Sequence, residues 1–105
     1  MTEDRIAKLK ALLEREEADS FGRYAHALEF AGMNRHTEAL TLLKDVIRRD
    51  PSYVPAYQQL GYLYQKLNRR KEAISIFKRG IKQAVKQGDL HAQGEMQNAL
   101  YEMVP

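Results

Sequence analysis

The sequence predicts an all-α fold, a short solenoid of antiparallel helix pairs. Three observations carry that prediction. A segment recurs at a period of 34 residues, its apolar residues fall at helical spacing, and asparagines and prolines stand where helices must stop.

Sliding the chain by 34 places lays "MNRHTEALTLLKDVI" (33–47) over "LNRRKEAISIFKRGI" (67–81). Asn34, Arg35, Glu38, Ala39, Lys44 and Ile47 recur as Asn68, Arg69, Glu72, Ala73, Lys78 and Ile81. Apolar character is kept from Met33 to Leu67, Leu40 to Ile74, Leu42 to Ile76 and Leu43 to Phe77, while upstream Ala27 faces Gly61 and Phe30 faces Tyr64. The match holds on both sides of the Asn-Arg turn.

The elements follow in order. Stepping back 34 residues from Leu40, Leu43, Val46 and Ile47 reaches Ile6, Leu9, Leu12 and Leu13, so residues 3–17 read as the second helix of an incomplete unit. Residues 20–53 form the first full unit, two helices joined at Asn34, where asparagine tolerates the left-handed conformation that ends a helix. In "RRDPSYVP" (48–55), Pro51 stops that unit, Ser52 is positioned to cap the next, and Pro55 suits a first helical turn.

The second unit, 54–87, has one stripe of Tyr57, Leu60, Leu63, Tyr64 and Leu67 and another of Ala73, Ile74, Phe77 and Ile81. Gly61 interrupts the first stripe at a cost of about 1 kcal/mol against alanine. The expectation is a close backbone approach to the helix carrying Ala73, matched in the first unit by Ala27 against Ala39. Residues 89–103 read as a closing helix, capped by Asp89 with a stripe of Met96, Ala99, Leu100 and Met103, which makes six helices in one domain spanning 1–105.

A 34-residue helix-turn-helix carrying Leu60, Gly61, Tyr64, Ala73, Phe77 and Gly80, preceded by a unit with Ala27, Phe30, Ala39, Leu43 and Pro51, resembles the tetratricopeptide repeat. The resemblance implies a right-handed solenoid with a concave binding face built from the first helix of each unit. It departs at Arg23 and His26, where the family usually has large apolar residues, and at Val85, where a closing proline is expected. That last departure suggests that the second unit's outer helix runs on to Gln87 and ends at Gly88.

Carried over by position, the resemblance implies a groove lined by Phe21, Tyr24, Leu28 and Ala31 in the first unit and Gln58, Gln59, Tyr62 and Gln65 in the second. Amphipathic aromatics suit recognition because they bury much area with few rotatable bonds. Family members that grip acidic C-terminal tails of chaperones use lysine, asparagine and arginine on this face. Here Tyr24, Leu28 and Gln59 hold the corresponding places, so an apolar or mixed peptide is the expected ligand.

Composition bounds the rest. The 105 residues contain no cysteine, which removes disulfide and thiol chemistry and fits a reducing compartment. The N-terminus "MTEDRIAKLK" lacks an apolar run behind a basic start, and no eighteen apolar residues follow one another. The expectation is a soluble, cytoplasmic protein with no membrane partner. His26, His36 and His91 are far apart and form no H-E-x-x-H pair, and no glycine-rich phosphate loop occurs, so no enzyme, metal or cofactor is expected.

Charge is uneven: residues 1–50 carry 9 basic and 10 acidic side chains, residues 51–105 carry 8 and 4. Lys71, Lys78, Arg79, Lys82 and Lys86 lie mostly along one side of the second unit's outer helix, extended at the turn by Arg69 and Arg70. Such a stripe is either a solvated face or a phosphate-binding surface, although no aromatic interleaves it to stack on bases. The leading expectation is an adaptor that holds an unidentified protein or peptide segment in the groove. The alternatives are a homodimer that buries the groove or the end helices, and nucleic-acid binding through the basic helix.

Overall fold

The structure, a computed structural model, describes residues 2–13 and 19–104. Among the described residues there are six helices and no strands: α1 (Thr2–Leu13), α2 (Ser20–Gly32), α3 (His36–Arg49), α4 (Val54–Lys66), α5 (Arg70–Gln87) and α6 (Leu90–Met103). The predicted extension of the first helix over 14–17 lies outside the described residues, as do the side chains of Leu9, Leu12 and Leu13. Of α1's predicted stripe, Ile6 is buried.

Three helices end in the same way. Asn34 and Asn68 take φ of 59° and 61°, and Gly88 takes 69°. In each case the amide of the following residue reaches back five positions: Arg35 to the Phe30 carbonyl, Arg69 to Tyr64 and Asp89 to Ala84, at 2.8, 2.8 and 2.9 Å. These left-handed caps satisfy carbonyls that would otherwise be orphaned, and they turn the chain within about three residues so that successive helices pack antiparallel.

The passage between units differs from the prediction at Ser52. Tyr53, not Ser52, occupies the cap position of α4 and makes no side-chain capping bond. Ser52 Oγ instead donates to Asp50 Oδ1 at 2.9 Å, while Ser20 Oγ donates to Asp50 Oδ2 at 2.9 Å. Asp50 therefore ties the inter-unit turn to the start of α2. With Pro55 in the first turn, where its missing N–H is no loss, α4 starts without a side-chain cap.

Packing runs α2 on α3, α3 on α4, α4 on α5 and α5 on α6, with a smaller contact between α4 and α6 and a slight one between α1 and α2. The core is one continuous cluster whose largest fully buried side chains are Tyr57, Phe30, Phe77, Leu43, Leu60, Met96 and Val46. Gly61 does mark a close approach, but to a ring rather than to the backbone at Ala73. A Cβ there would lie within 2.7 Å of three carbons of Phe77. The first unit places Ala27 and Leu43 at the equivalent positions and needs no glycine. Gly80 answers a similar demand, since a Cβ would come within 2.7 Å of Met96 Sδ and of Tyr57 Cβ.

At α6, the Asp89 carboxylate accepts the Ala92 amide at 3.1 Å, which is the predicted cap. Asp89→Ala is expected to lower stability by about 1 kcal/mol. Chemical denaturation followed by circular dichroism measures it as a lower midpoint at unchanged slope.

Candidate functional site

The first helices of successive pairs are laced together by the residues that the sequence assigns to the groove. Tyr24 on α2 is half-buried, and its ring lies 5.5 Å from that of Tyr53. Burial and the neighbouring Tyr53 raise its hydroxyl pKa, with the Gln59 side chain acting in the opposite sense. On α4, Gln58 Nε2 donates to the Tyr62 hydroxyl at 3.1 Å and to Glu95 Oε1 of α6 at 2.9 Å. Tyr62 sets its edge against the buried ring of Phe77, 5.6 Å between centroids.

Tyr62 and Gln65 line a depression of about 300 Å³ completed by Glu95, Asn98, Ala99 and Glu102 of α6. The other assigned residues stand outside it. Phe21 is 68% exposed and Leu28 39%, whereas Ala31 packs partly against the core. Tyr24 has much of its surface committed to its neighbours.

Sequence reasoning missed the α6 wall. Its polar face of Glu95, Asn98 and Glu102 continues the face of Tyr62 and Gln65. The signal was present at a different step: α4 begins at Val54 and α6 at Leu90, an offset of 36 that aligns Ala56 with Ala92, Leu60 with Met96 and Tyr62 with Asn98. The lengthened α5 accounts for the two extra residues.

The basic residues lie apart from this groove. Arg69 pairs with Glu72, Nε to Oε1 at 2.9 Å, and stacks over Tyr64. Arg79 lies 5.6 Å from the Tyr57 ring centroid, while Arg70, Lys71, Lys78, Lys82 and Lys86 are exposed. Lys44 and Arg48 of α3 join Arg79 around a depression of about 340 Å³ floored by Ile47 and Pro51, so the basic surface spans two helices rather than one.

A broader depression, about 770 Å³, runs along α3 from Lys10 to Arg48. Of its charged side chains, all but Lys44 are ion-paired among the described residues. Glu38 pairs with Arg35 at 2.7 Å and with Lys10 at 3.6 Å, and the Arg35 hydrogen bond lowers the pKa of its carboxyl. Asp45 meets Arg48, Arg49 and the buried Arg23, whose Nε lies 3.8 Å from Asp45 Oδ2. Arg23 is 5% exposed and stands where Tyr57 stands in the next unit, so this ion pair replaces an apolar contact.

His26 and His36 are half-buried, and the Nδ1 of each has no hydrogen-bond partner among the described residues. Also among the described residues, no group of three or more His, Asp or Glu could hold a metal ion, and no helix is long and apolar enough to cross a membrane. Along α4 the surface carries the amide and hydroxyl groups of Gln58, Gln65 and Tyr62, and along α2 the exposed apolar side chains of Phe21 and Leu28.

Comparison with known proteins agrees with this architecture. The tetratricopeptide repeat family profile matches residues 30–100. Among solved structures, a tetratricopeptide repeat domain protein from Salinibacter ruber, determined in solution, is 34% identical with a TM-score of 0.79, covering 85% of this chain and 90% of its own. A crystal structure of a tetratricopeptide repeat domain protein from the same organism gives 35% identity and a TM-score of 0.77, covering 81% and 96%. A protein from Bordetella parapertussis gives 25% identity and a TM-score of 0.77, covering 92% and 84%. No curated protein matches the sequence.

Proposed function

Because the chain belongs to the tetratricopeptide repeat family, whose members are generally non-catalytic protein-interaction modules, we propose that it is an adaptor holding a peptide segment or helix of a partner protein against the face of α2, α4 and α6. What supports this reading is that exposed Phe21 and Leu28 hold by the 34-residue register the face of α2 that Gln58, Tyr62 and Gln65 hold on α4, where Tyr62 and Gln65 line a depression with Asn98 of α6. Apolar anchors supply affinity, while side-chain amides satisfy backbone groups that a bound segment would otherwise leave unpaired. A chain free of cysteine suits a cytoplasmic setting.

Half-buried Tyr24 makes a poor probe of binding because its loss would disturb packing. Phe21→Ser with Leu28→Ser removes exposed surface instead. The test is selection of a displayed random-peptide library on the chain, followed by titration of an enriched peptide. The double variant, with its helicity and melting cooperativity intact, is expected to bind at least about tenfold more weakly, a loss of roughly 1.4 kcal/mol. Equal affinity for both proteins would refute the reading.

One observation favours a second reading, nucleic-acid binding on the opposite face: Lys44 and Arg48 join Arg79 there. Neutralised phosphates would make such binding fall steeply with salt. Excess absorbance at 260 nm in protein purified at low salt, removed by a high-salt wash, would support it.

A further inference from the structure

We propose that two copies of the chain pair through α6, antiparallel and about a twofold axis at Gln97, leaving the peptide groove of each copy open. The last described helix, α6, is apolar on two sides. Ala92, Met96, Ala99 and Met103 form its buried stripe. Leu90, Leu100, Tyr101 and Val104 form another, about a third of a turn away at 100° per residue, with Gln93 and Gln97 between them. Leu90 and Tyr101 are each 76% exposed and Val104 39%.

The stripe carries both a knob and a hole. Leu90 projects at one end, and near the other lies a depression of about 450 Å³ lined by Lys78, Ile81, Gln97, Leu100, Tyr101 and Val104. Positions 90 and 104 are symmetric about 97, so a single twofold rotation sets Leu90 of each copy at the hole of the other. Such an interface is isologous and closes at two. On the axis the two Gln97 amides meet, each able to donate to and accept from its mate. Asp89, next to Leu90, is brought toward Lys78 of the second copy, and Lys78 has no ion-pair partner among the described residues. Glu95, Asn98 and Glu102, the groove wall, point to the remaining side of α6 and stay free.

One helix face is a small interface, so the dimer is expected to be concentration-dependent. Sedimentation velocity across a concentration series should show monomer converting to dimer, and Leu90→Lys with Tyr101→Lys should remain monomeric with unchanged helicity. A second measurement uses the absence of native cysteine. Helices packed about 8–10 Å apart bring facing Cα atoms to about 3.4–5.4 Å, which overlaps the disulfide range at the wider spacings. Gln97→Cys should therefore cross-link to dimer under mild oxidation, while Lys66→Cys stays largely monomeric. A wild-type monomer up to ~1 mM, a ladder of higher species, or equal cross-linking of the two variants would overturn the proposal. The peptide titration is read separately on the Leu90→Lys, Tyr101→Lys variant, so groove binding and pairing succeed or fail independently.

Discussion

Gly61→Ala is expected to destabilise the chain by about 2 kcal/mol, although alanine is the better helix former by about 1 kcal/mol. The added Cβ would lie within 2.7 Å of three carbons of the Phe77 ring, and that ring is fully buried against Tyr62, leaving little room to retreat. The chain contains its own remedy. Its first unit pairs Ala27 with Leu43 at the equivalent places, so Phe77→Leu in the Gly61→Ala background should restore much of the loss. Phe77→Leu alone should cost about 1–2 kcal/mol from the space it leaves. A double-mutant cycle by urea denaturation then gives a favourable coupling above about 1 kcal/mol. Additive effects, or a Gly61→Ala protein as stable as the parent, would show that the ring does not enforce the glycine.

The second large effect is at Asp45. Asp45→Ala is expected to cost about 1–3 kcal/mol, because it removes the counter-charge 3.8 Å from Arg23 Nε, a buried atom that makes no hydrogen bond among the described residues. Arg23→Leu should be close to neutral, or stabilising by up to about 2 kcal/mol, since an apolar group at this place avoids the desolvation of a charge. Combining the two should recover most of the Asp45 deficit, a result that a purely local role for Asp45 does not give.

The same carboxylate has a pH signature. Burial pushes its pKa up, but hydrogen bonds from Arg48 and Arg49 outweigh burial and hold it below the ordinary 3.8. A depressed folded pKa contributes stability in full above the ordinary value and loses it as pH falls through the lower one. The difference in stability between the parent and Asp45→Ala should therefore be constant near neutrality and shrink below about pH 4.

Much of the fold is legible in the sequence because its determinants are local. Asn34 and Asn68 announce left-handed turns, Asp89 announces a cap, and the apolar stripes at helical spacing announce which faces are buried. Where the determinant is a side chain from another element, sequence reasoning stops short. Gly61 signals that something comes close, but only the packed structure identifies Phe77 rather than the backbone near Ala73. Ser52 has the chemistry of a cap, yet Asp50 accepts its hydroxyl and Tyr53 takes the cap position. Arg23 reads as a departure from the pattern until Asp45, twenty-two residues on, supplies its counter-charge.

The candidate site was less legible for a geometric reason. A step of 34 residues carries Tyr24 and Leu28 of α2 onto Gln58 and Tyr62 of α4, but the 18-residue α5 delays α6 to a step of 36. Advancing by 34 would therefore misplace Glu95, Asn98 and Glu102, the wall that faces Tyr62 and Gln65. The opposite problem affects Tyr24. Its position is concave by register, but Tyr53 and Gln59 already occupy much of its surface.

The most direct test of the adaptor account is a backbone amide titration by NMR of the labelled chain with a library-selected peptide. If the account is right, the shifts concentrate at Phe21, Leu28, Gln58, Tyr62, Gln65 and Asn98, and the Phe21→Ser, Leu28→Ser protein gives them only at much higher peptide. Shifts confined instead to Lys44, Arg79 and Lys82 on the opposite face would contradict it.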